Sequence, residues 1–237
     1  MCHATTVPNE TNSDHKRSIR SYVIRSGRLT DSQRNALDTH RQQYLIDFQP
    51  QIIQLDSVFQ NSARLIVEIG FGMGDSLLEM AKMDPDSNFI GIEVHQPGVG
   101  KLLHGIAEQE LTNLKIVSYD AKEVFQFCFE NESIDKVQIF FPDPWPKKRH
   151  HKRRLVQTEF MEQLLGKLKP GADIHLATDW QAYAEHMMDV MQAIPRLSNV
   201  NGANNYWADP DRPGTKFEKR GQRLGHGVWD LQFRKDK

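Results

Sequence analysis

Residues 140–154 read Phe-Phe-Pro-Asp-Pro-Trp-Pro-Lys-Lys-Arg-His-His-Lys-Arg-Arg, joining a stiffly held carboxylate to a dense run of positive charge. Pro142 and Pro144 bracket Asp143. A proline ring fixes its own φ, and Pro144 also pushes the residue before it toward extended backbone. The apolar, β-prone stretch at 134–141 predicts a buried strand, so Asp143 is expected where that strand leaves its sheet, the place at which open α/β folds hold ligands. Lys147, Lys148, Arg149, Lys152, Arg153 and Arg154 supply six of the 30 basic residues. That leaves 24 against 31 acids elsewhere, although the whole chain carries only −1. Charge so concentrated binds phosphates by displacing counterions. A solvated helix start would also explain a basic run, but the adjoining Pro-Asp-Pro-Trp favours contact with RNA or DNA. His150 and His151 lie inside the block without a Cys or His partner at metal spacing, so they read as phosphate or solvent contacts and no metal site is expected.

A second constellation is Val67-Glu68-Ile69-Gly70-Phe71-Gly72-Met73-Gly74-Asp75: a strand end, a glycine-rich turn and a helix start. Gly70, Gly72 and Gly74 let the backbone turn tightly and approach a ligand. Their Gly-x-Gly-x-Gly spacing departs from the dinucleotide pattern Gly-x-Gly-x-x-Gly. Glu68 and Asp75 also put acids where a pyrophosphate would need positive potential. Such acids suit a ligand carrying ammonium and sulfonium charges, which is S-adenosylmethionine. Glu93, closing Gly91-Ile92-Glu93, stands where such folds place an acid for the ribose hydroxyls. Asp120 follows the third strand and reads either as an acceptor for the adenine amino group or as the cap of the next helix. Asp179, after the strand at 172–178, reads either as a carboxylate at the ligand edge of the sheet or as an ordinary helix cap.

Positioning these side chains requires strands alternating with helices. Periodicity places strands at 64–69, 88–93, 114–119, 134–141, 172–178 and 226–233, with a weaker one near 197–201. Helices fit 75–83, 95–109, 121–130, 155–168 and 180–193, so most connections are crossovers and the sheet is expected to be largely parallel. A polar helix at 31–47, capped by Thr30 or Asp31, precedes them, after a flexible tail at 1–19. Pro170-Gly171 marks a turn before a strand, and 202–221 reads as a long functional loop. With 237 residues and 38% apolar side chains, the chain suffices for one soluble domain over 20–237 and has no membrane-length apolar run. The polar start lacks a signal-peptide block, and two cysteines, Cys2 and Cys128, are too few for a disulfide framework, which predicts a cytoplasmic protein. Cys128 reads as core. His95, His104, His175 and His226 are scattered and read as structural or surface groups.

Across nearly its whole length the chain resembles the bacterial tRNA (guanine-N7) methyltransferases. The likeness rests on residues 20–30, the turn at 68–74, Gly91-Ile92-Glu93, the Phe-Pro-Asp-Pro-Trp-Pro-Lys-Lys-Arg-His block, Thr178-Asp179-Trp180 and Thr215-Lys216-Phe217-Glu218-Lys219-Arg220-Gly221. It implies a class I S-adenosylmethionine-dependent methyltransferase: α/β, Rossmann-like, with a mostly parallel seven-stranded sheet and helices on both faces. It also implies that Glu68, Glu93, Asp120 and Asp143 serve the cofactor. Lys147, Asp179, Thr215, Lys216, Phe217 and Glu218 would serve a variable-loop guanine, and 149–154 would touch tRNA. No membrane or obligatory protein partner is expected, and the chain is expected to act as a monomer.

The chemistry is simple. Guanine N7 has an in-plane lone pair and no proton, so in-line attack on a sulfonium methyl needs no general base, and positioning dominates. Asp143 would accept from the guanine N1 and N2 edge or orient the methionine end, and steady positive charge arriving on the purine. Lys147 reads as a donor to guanine O6 or as a phosphate contact. Trp145 and Trp180 read as core or as stacking surfaces for an extruded base.

Three other readings compete. A nicotinamide oxidoreductase conflicts with the glycine spacing and the acids beside it. A non-catalytic RNA-binding protein on the same fold conflicts with the intact Glu68, glycines and Asp143. A DNA exocyclic-amine methylase would carry an Asn/Asp-Pro-Pro-aromatic turn, whereas here Asp143 separates the prolines.

Overall fold

The computed structural model describes residues 19–23, 27–214, 218 and 227–237. Eight strands form one sheet: β1 (Leu45–Ile46), β2 (Leu65–Ile69), β3 (Asn88–Ile92), β4 (Leu114–Val117), β5 (Ile134–Phe140), β6 (Leu168–Thr178), β7 (Leu197–Asn199) and β8 (Trp229–Lys235). Their order is β1-β4-β3-β2-β5-β6-β8-β7. The first six in that order run parallel, while β8 is antiparallel to both β6 and β7. Seven strands were expected, and the eighth is β1, a two-residue strand on the edge beside β4.

Among the described residues the helices with defined bounds are α1 (Asp31–Tyr44), α2 (Leu55–Phe59), α3 (Asp75–Met83), α4 (Gln96–Glu108), α5 (Ala121–Phe127), α6 (Thr158–Lys167) and α7 (Gln181–Gln192), with a 3-10 helix at Lys148–Arg153. Thr30 caps α1 through a box in which its hydroxyl accepts from the Gln33 amide and Gln33 returns a bond to the Thr30 amide, satisfying two otherwise orphaned donors.

Strand alternation sends successive side chains to opposite faces, and each face carries its own core. Ile66, Phe89, Leu114 and Ile116 pack with Leu77, Val99, Leu102 and Ile106 of α3 and α4. Val67, Ile90, Val137, Ile139, Ile174 and Leu176 pack beneath Val124, Phe160, Leu164, Tyr183 and Met187 of α5, α6 and α7. β2 and β3 are buried along their whole length, as expected of central strands covered on both sides.

Pro170-Gly171 is not a turn ahead of a strand. β6 begins at Leu168, and its pairing with β5 jumps from Ile134↔Leu168 to Lys136↔Asp173, with Gly171 at φ 82° inside this bulge. From β2 the chain moves outward one way to β3 and β4, then returns to lay β5 and β6 on the other side. The switch point between β2 and β5 opens at the carboxyl ends of the strands, where such sheets hold ligands.

Candidate active site at the carboxyl rim of the sheet

The turn between β2 and α3 forms as its composition predicts. Gly70, Gly72 and Gly74 have φ of 76°, 59° and 76°, a region costly to residues bearing a Cβ. A Cβ on Gly70 or Gly72 would meet nothing within 4 Å, so space lies in front of this backbone. Behind it the packing is tight: a Cβ on Gly98 of α4 would stand 1.8 Å from the Gly72 carbonyl oxygen. Asp75, at the start of α3, is ion-paired with Lys101 of α4.

Glu68 lies in β2 immediately before this turn and is only 3% exposed. Its Oε2 has no hydrogen-bond partner among the described residues. Burial, reinforced by the nearby Glu93 carboxylate and opposed by Arg212, pushes its pKa up to about 8. Glu93 itself is held by three backbone amides: Gly72 to Oε2 at 2.9 Å, and Val94 and His95 to Oε1 at 2.7 and 2.9 Å. Asp120 fulfils its capping reading by accepting from the Lys122 amide at 2.9 Å. It also receives the Tyr22 hydroxyl, whose pKa is raised by burial first and by Asp120 next. Glu68, Glu93 and Asp120 thus stand at the carboxyl ends of the neighbouring strands β2, β3 and β4.

Asp143 follows β5, the neighbour of β2 on the other side, and is exposed. Phe141 and Trp145, one on each side of the Pro-Asp-Pro core, adopt positive φ of 52° and 45°, strain of the kind found where a loop is held in one functional shape. A cavity of about 210 Å³ lined by Ile46, Phe48, Ile52, Ile53, Val58 and Cys128, among others, contains none of these rim acids.

The basic block divides by exposure. Lys147, Lys148, Arg149 and Lys152 project from the 3-10 helix and its start, while His150 and His151 are half-buried. The His150 pKa is lowered by lost hydration and by Arg149, Lys147, Arg153 and Lys152 around it. Arg153 stacks 3.9 Å above the Trp145 ring and donates to the carbonyls of Arg20 and Tyr22 at 3.1 and 3.2 Å. The Trp145 indole N–H donates to the Ser21 carbonyl at 3.1 Å. Arg154 was expected to touch RNA, but it is 2% exposed. It donates to the Pro144 carbonyl at 3.0 Å and lies over the Tyr183 ring, so it braces the loop from beneath.

Asp179 follows β6, the strand next to β5 along the rim, is half-buried, and does not cap α7, whose N-cap is Trp180. Trp180 is 39% exposed. Glu218 accepts from Arg212 at 2.7 Å. Thr215, Lys216 and Phe217 lie outside the described residues, as do residues 1–18 with Cys2, and His226, the first residue of the strand expected at 226–233; that strand, β8, starts only at Trp229 and runs on to Lys235.

Sequence reasoning missed the ion cluster behind this side. Arg212 is 1% exposed in its side chain and pairs bidentately with Asp230 of β8, at 2.7 and 2.8 Å. His175 of β6 shares Asp230 Oδ1 at 2.7 Å. The one sequence signal was that Arg212 falls within 202–221, the segment read as a long functional loop.

Comparison with known proteins adds to this geometry. Residues 62–231 match the family model described as "Putative methyltransferase". A tRNA (guanine-N(7)-)-methyltransferase of Saccharophagus degradans is 52% identical, over 92% of this chain and 96% of its own length. One from Pseudomonas putida is 49% identical over 98% of both chains. The chain belongs to the tRNA (guanine-N7)-methyltransferase family. The fold agrees: a crystal structure of a 16S rRNA methyltransferase superposes with TM-score 0.57 at 12% identity, covering 79% of this chain and 95% of that one. An aminoglycoside resistance methyltransferase gives 0.55 at 19% identity, covering 78% and 94%. This methyltransferase therefore has the class I S-adenosylmethionine-dependent fold. Its rim suits that cofactor on chemical grounds: two residues before a turn whose glycines leave space in front of them, Glu68 holds a buried carboxyl oxygen with no partner among the described residues, and an ammonium or sulfonium would satisfy it. Among the described residues no helix is long and apolar enough to cross a membrane.

Proposed function

We propose that this enzyme methylates N7 of a guanine in the variable loop of tRNA, with the cofactor over β2, β3 and β4 and the base between the Asp143 loop and the 179–218 side. The observation that carries this reading is one continuous rim. Glu68, Glu93 and Asp120 end successive strands, Asp143 ends the next, and the exposed Lys147, Lys148, Arg149 and Lys152 adjoin it directly.

S-adenosylmethionine, when bound, supplies the sulfonium methyl that N7 attacks in line. The protein holds and orients. Glu68 answers the cationic methionine end, Glu93, fixed by three amides, accepts the ribose hydroxyls, and Asp120 accepts from the adenine amine. Asp143 accepts from the guanine N1 and N2 edge and steadies the positive charge that arrives on the purine. Lys147, Asp179 and the 215–218 segment hold the base, and the exposed cations grip phosphates on either side. No residue needs to remove a proton before methyl transfer, so alignment supplies the rate. Residues 20–237 act as one unit, as a single chain in the cytoplasm.

The test is incubation of the protein with unmodified tRNA and methyl-labelled S-adenosylmethionine, followed by nucleoside mapping. Label in 7-methylguanosine at one variable-loop position is expected. Label in another nucleoside, or none, overturns the proposal.

A further inference from the structure

The buried ions around Arg212 join parts of the rim that are distant in sequence. Its guanidinium donates from Nε and one terminal nitrogen to both oxygens of Asp230, and from the other terminal nitrogen to Glu218 Oε2 at 2.7 Å. It lies 5.4 Å from the ring centroids of both Phe140 and Phe141, the last residue of β5 and the first of the Asp143 loop. Asp230 is itself oriented by His175. Burial lowers the His175 pKa despite Asp230, so the ring is neutral and its Nε2–H is the donor. Burial also pushes the Asp230 carboxyl up, yet the hydrogen bonds from Arg212 and His175 prevail and hold it below the usual range.

A planar guanidinium can bind a carboxylate with two parallel bonds and still reach a second acid, which an ammonium cannot do. A simple structural ion pair would end at Asp230. Here the third arm leaves the sheet for Glu218, and the flat face covers the root of the Asp143 loop.

We propose that Arg212 is a positioning residue for methyl transfer, anchored by Asp230 and His175, which holds Glu218 and the Asp143 loop in register across the guanine site. This rests on Glu218 serving the guanine. Arg212 touches neither base nor cofactor in this role, and its effect passes through Glu218 and through Phe140 and Phe141.

The experiment is a double-mutant cycle on full-length protein with Arg212→Lys, Glu218→Gln and the pair. Steady-state kinetics on tRNA, cofactor affinity by calorimetry and thermal melting are read for each. Arg212→Lys keeps the charge opposite Asp230 and avoids leaving that acid buried alone. Its kcat/KM for tRNA should fall about a hundredfold, the scale of a misplaced binding group. Cofactor affinity should stay within about threefold, and Glu218→Gln should add less than about threefold in the Arg212→Lys background. Near-normal kcat/KM in Arg212→Lys, or losses that multiply in full, would overturn the inference while leaving the guanine reading intact. Normal methylation by Glu218→Gln alone would instead remove Glu218 from the guanine site, and the inference with it. Should Arg212→Lys fail to fold, Asp230→Asn takes its place in the same cycle with the same expected outcomes, because it loosens the anchor and keeps both side chains near their native size.

Discussion

Replacing Glu68 with Gln should change how the apoprotein responds to pH. Glu68 is buried without a partner for Oε2 among the described residues, and its pKa rises from the ordinary 4.5 to about 8. Between those values the folded protein keeps a proton that the unfolded chain releases, so stability falls as pH rises. The contribution is complete below pH 4.5 and lost by about pH 8. At about 1.4 kcal/mol per pH unit the whole effect is at most about 5 kcal/mol, of which about 3 falls between pH 5.5 and 8.5. In a chain of this length that corresponds to roughly 6–12 °C in Tm. Melting apoprotein and Glu68→Gln in parallel from pH 5.5 to 8.5 should show the native protein losing that much more than the variant. Cofactor binding supplies a second readout. A cation seated on Glu68 stabilises its charged form, so uptake near pH 7 should release close to one proton, measurable by calorimetry in buffers of different ionisation enthalpy. Parallel melting curves together with proton-neutral binding would refute the reasoning.

Asp143→Ala should lower tRNA methylation at least about a hundredfold, with Tm unchanged within about 2 °C because this side chain is exposed. Neutralising Lys147, Lys148, Arg149 and Lys152 together should weaken tRNA binding and reduce the slope of log affinity against log salt by about 3, as read by filter binding from 50 to 300 mM salt. Arg154→Gln should behave oppositely. Loss of a buried, hydrogen-bonded guanidinium should cost about 2 kcal/mol, some 4–8 °C in Tm, while the salt slope stays unchanged.

Much of this was legible in the chain. The bounds of α3 match the expected 75–83, and β2, β3, α4 and α7 fall within a residue of expectation, because their apolar periodicity is uninterrupted and glycine or polar residues end them. The acids were legible for a related reason: once strands are placed, the residue that closes each one faces the ligand rim. What escaped depends on distant partners. β1 is two residues long and exists only because β4 pairs with it. β6 starts before Pro170 because a bulge absorbs the Pro-Gly pair that marks a turn elsewhere. Arg153 and Arg154 are neighbours of like charge, yet the end of the 3-10 helix sends one over Trp145 and the other beneath the loop onto Tyr183. Arg212 and Asp230 lie 18 positions apart, and they meet because the segment ahead of Arg212 folds back on β8, where Trp207 bridges Asp230.

The crossing of residues 20–22 over the rim bears on handling this protein. Arg153 and Trp145 hold the carbonyls of Arg20, Ser21 and Tyr22, and Tyr22 reaches Asp120, so a purification handle or fluorophore attached ahead of this stretch enters beside the working face. The other end is better placed. β8 finishes with Lys235 donating to the Leu168 carbonyl at the start of β6, a sheet's length from Thr178, so a surface tether fixed there leaves the tRNA approach unobstructed.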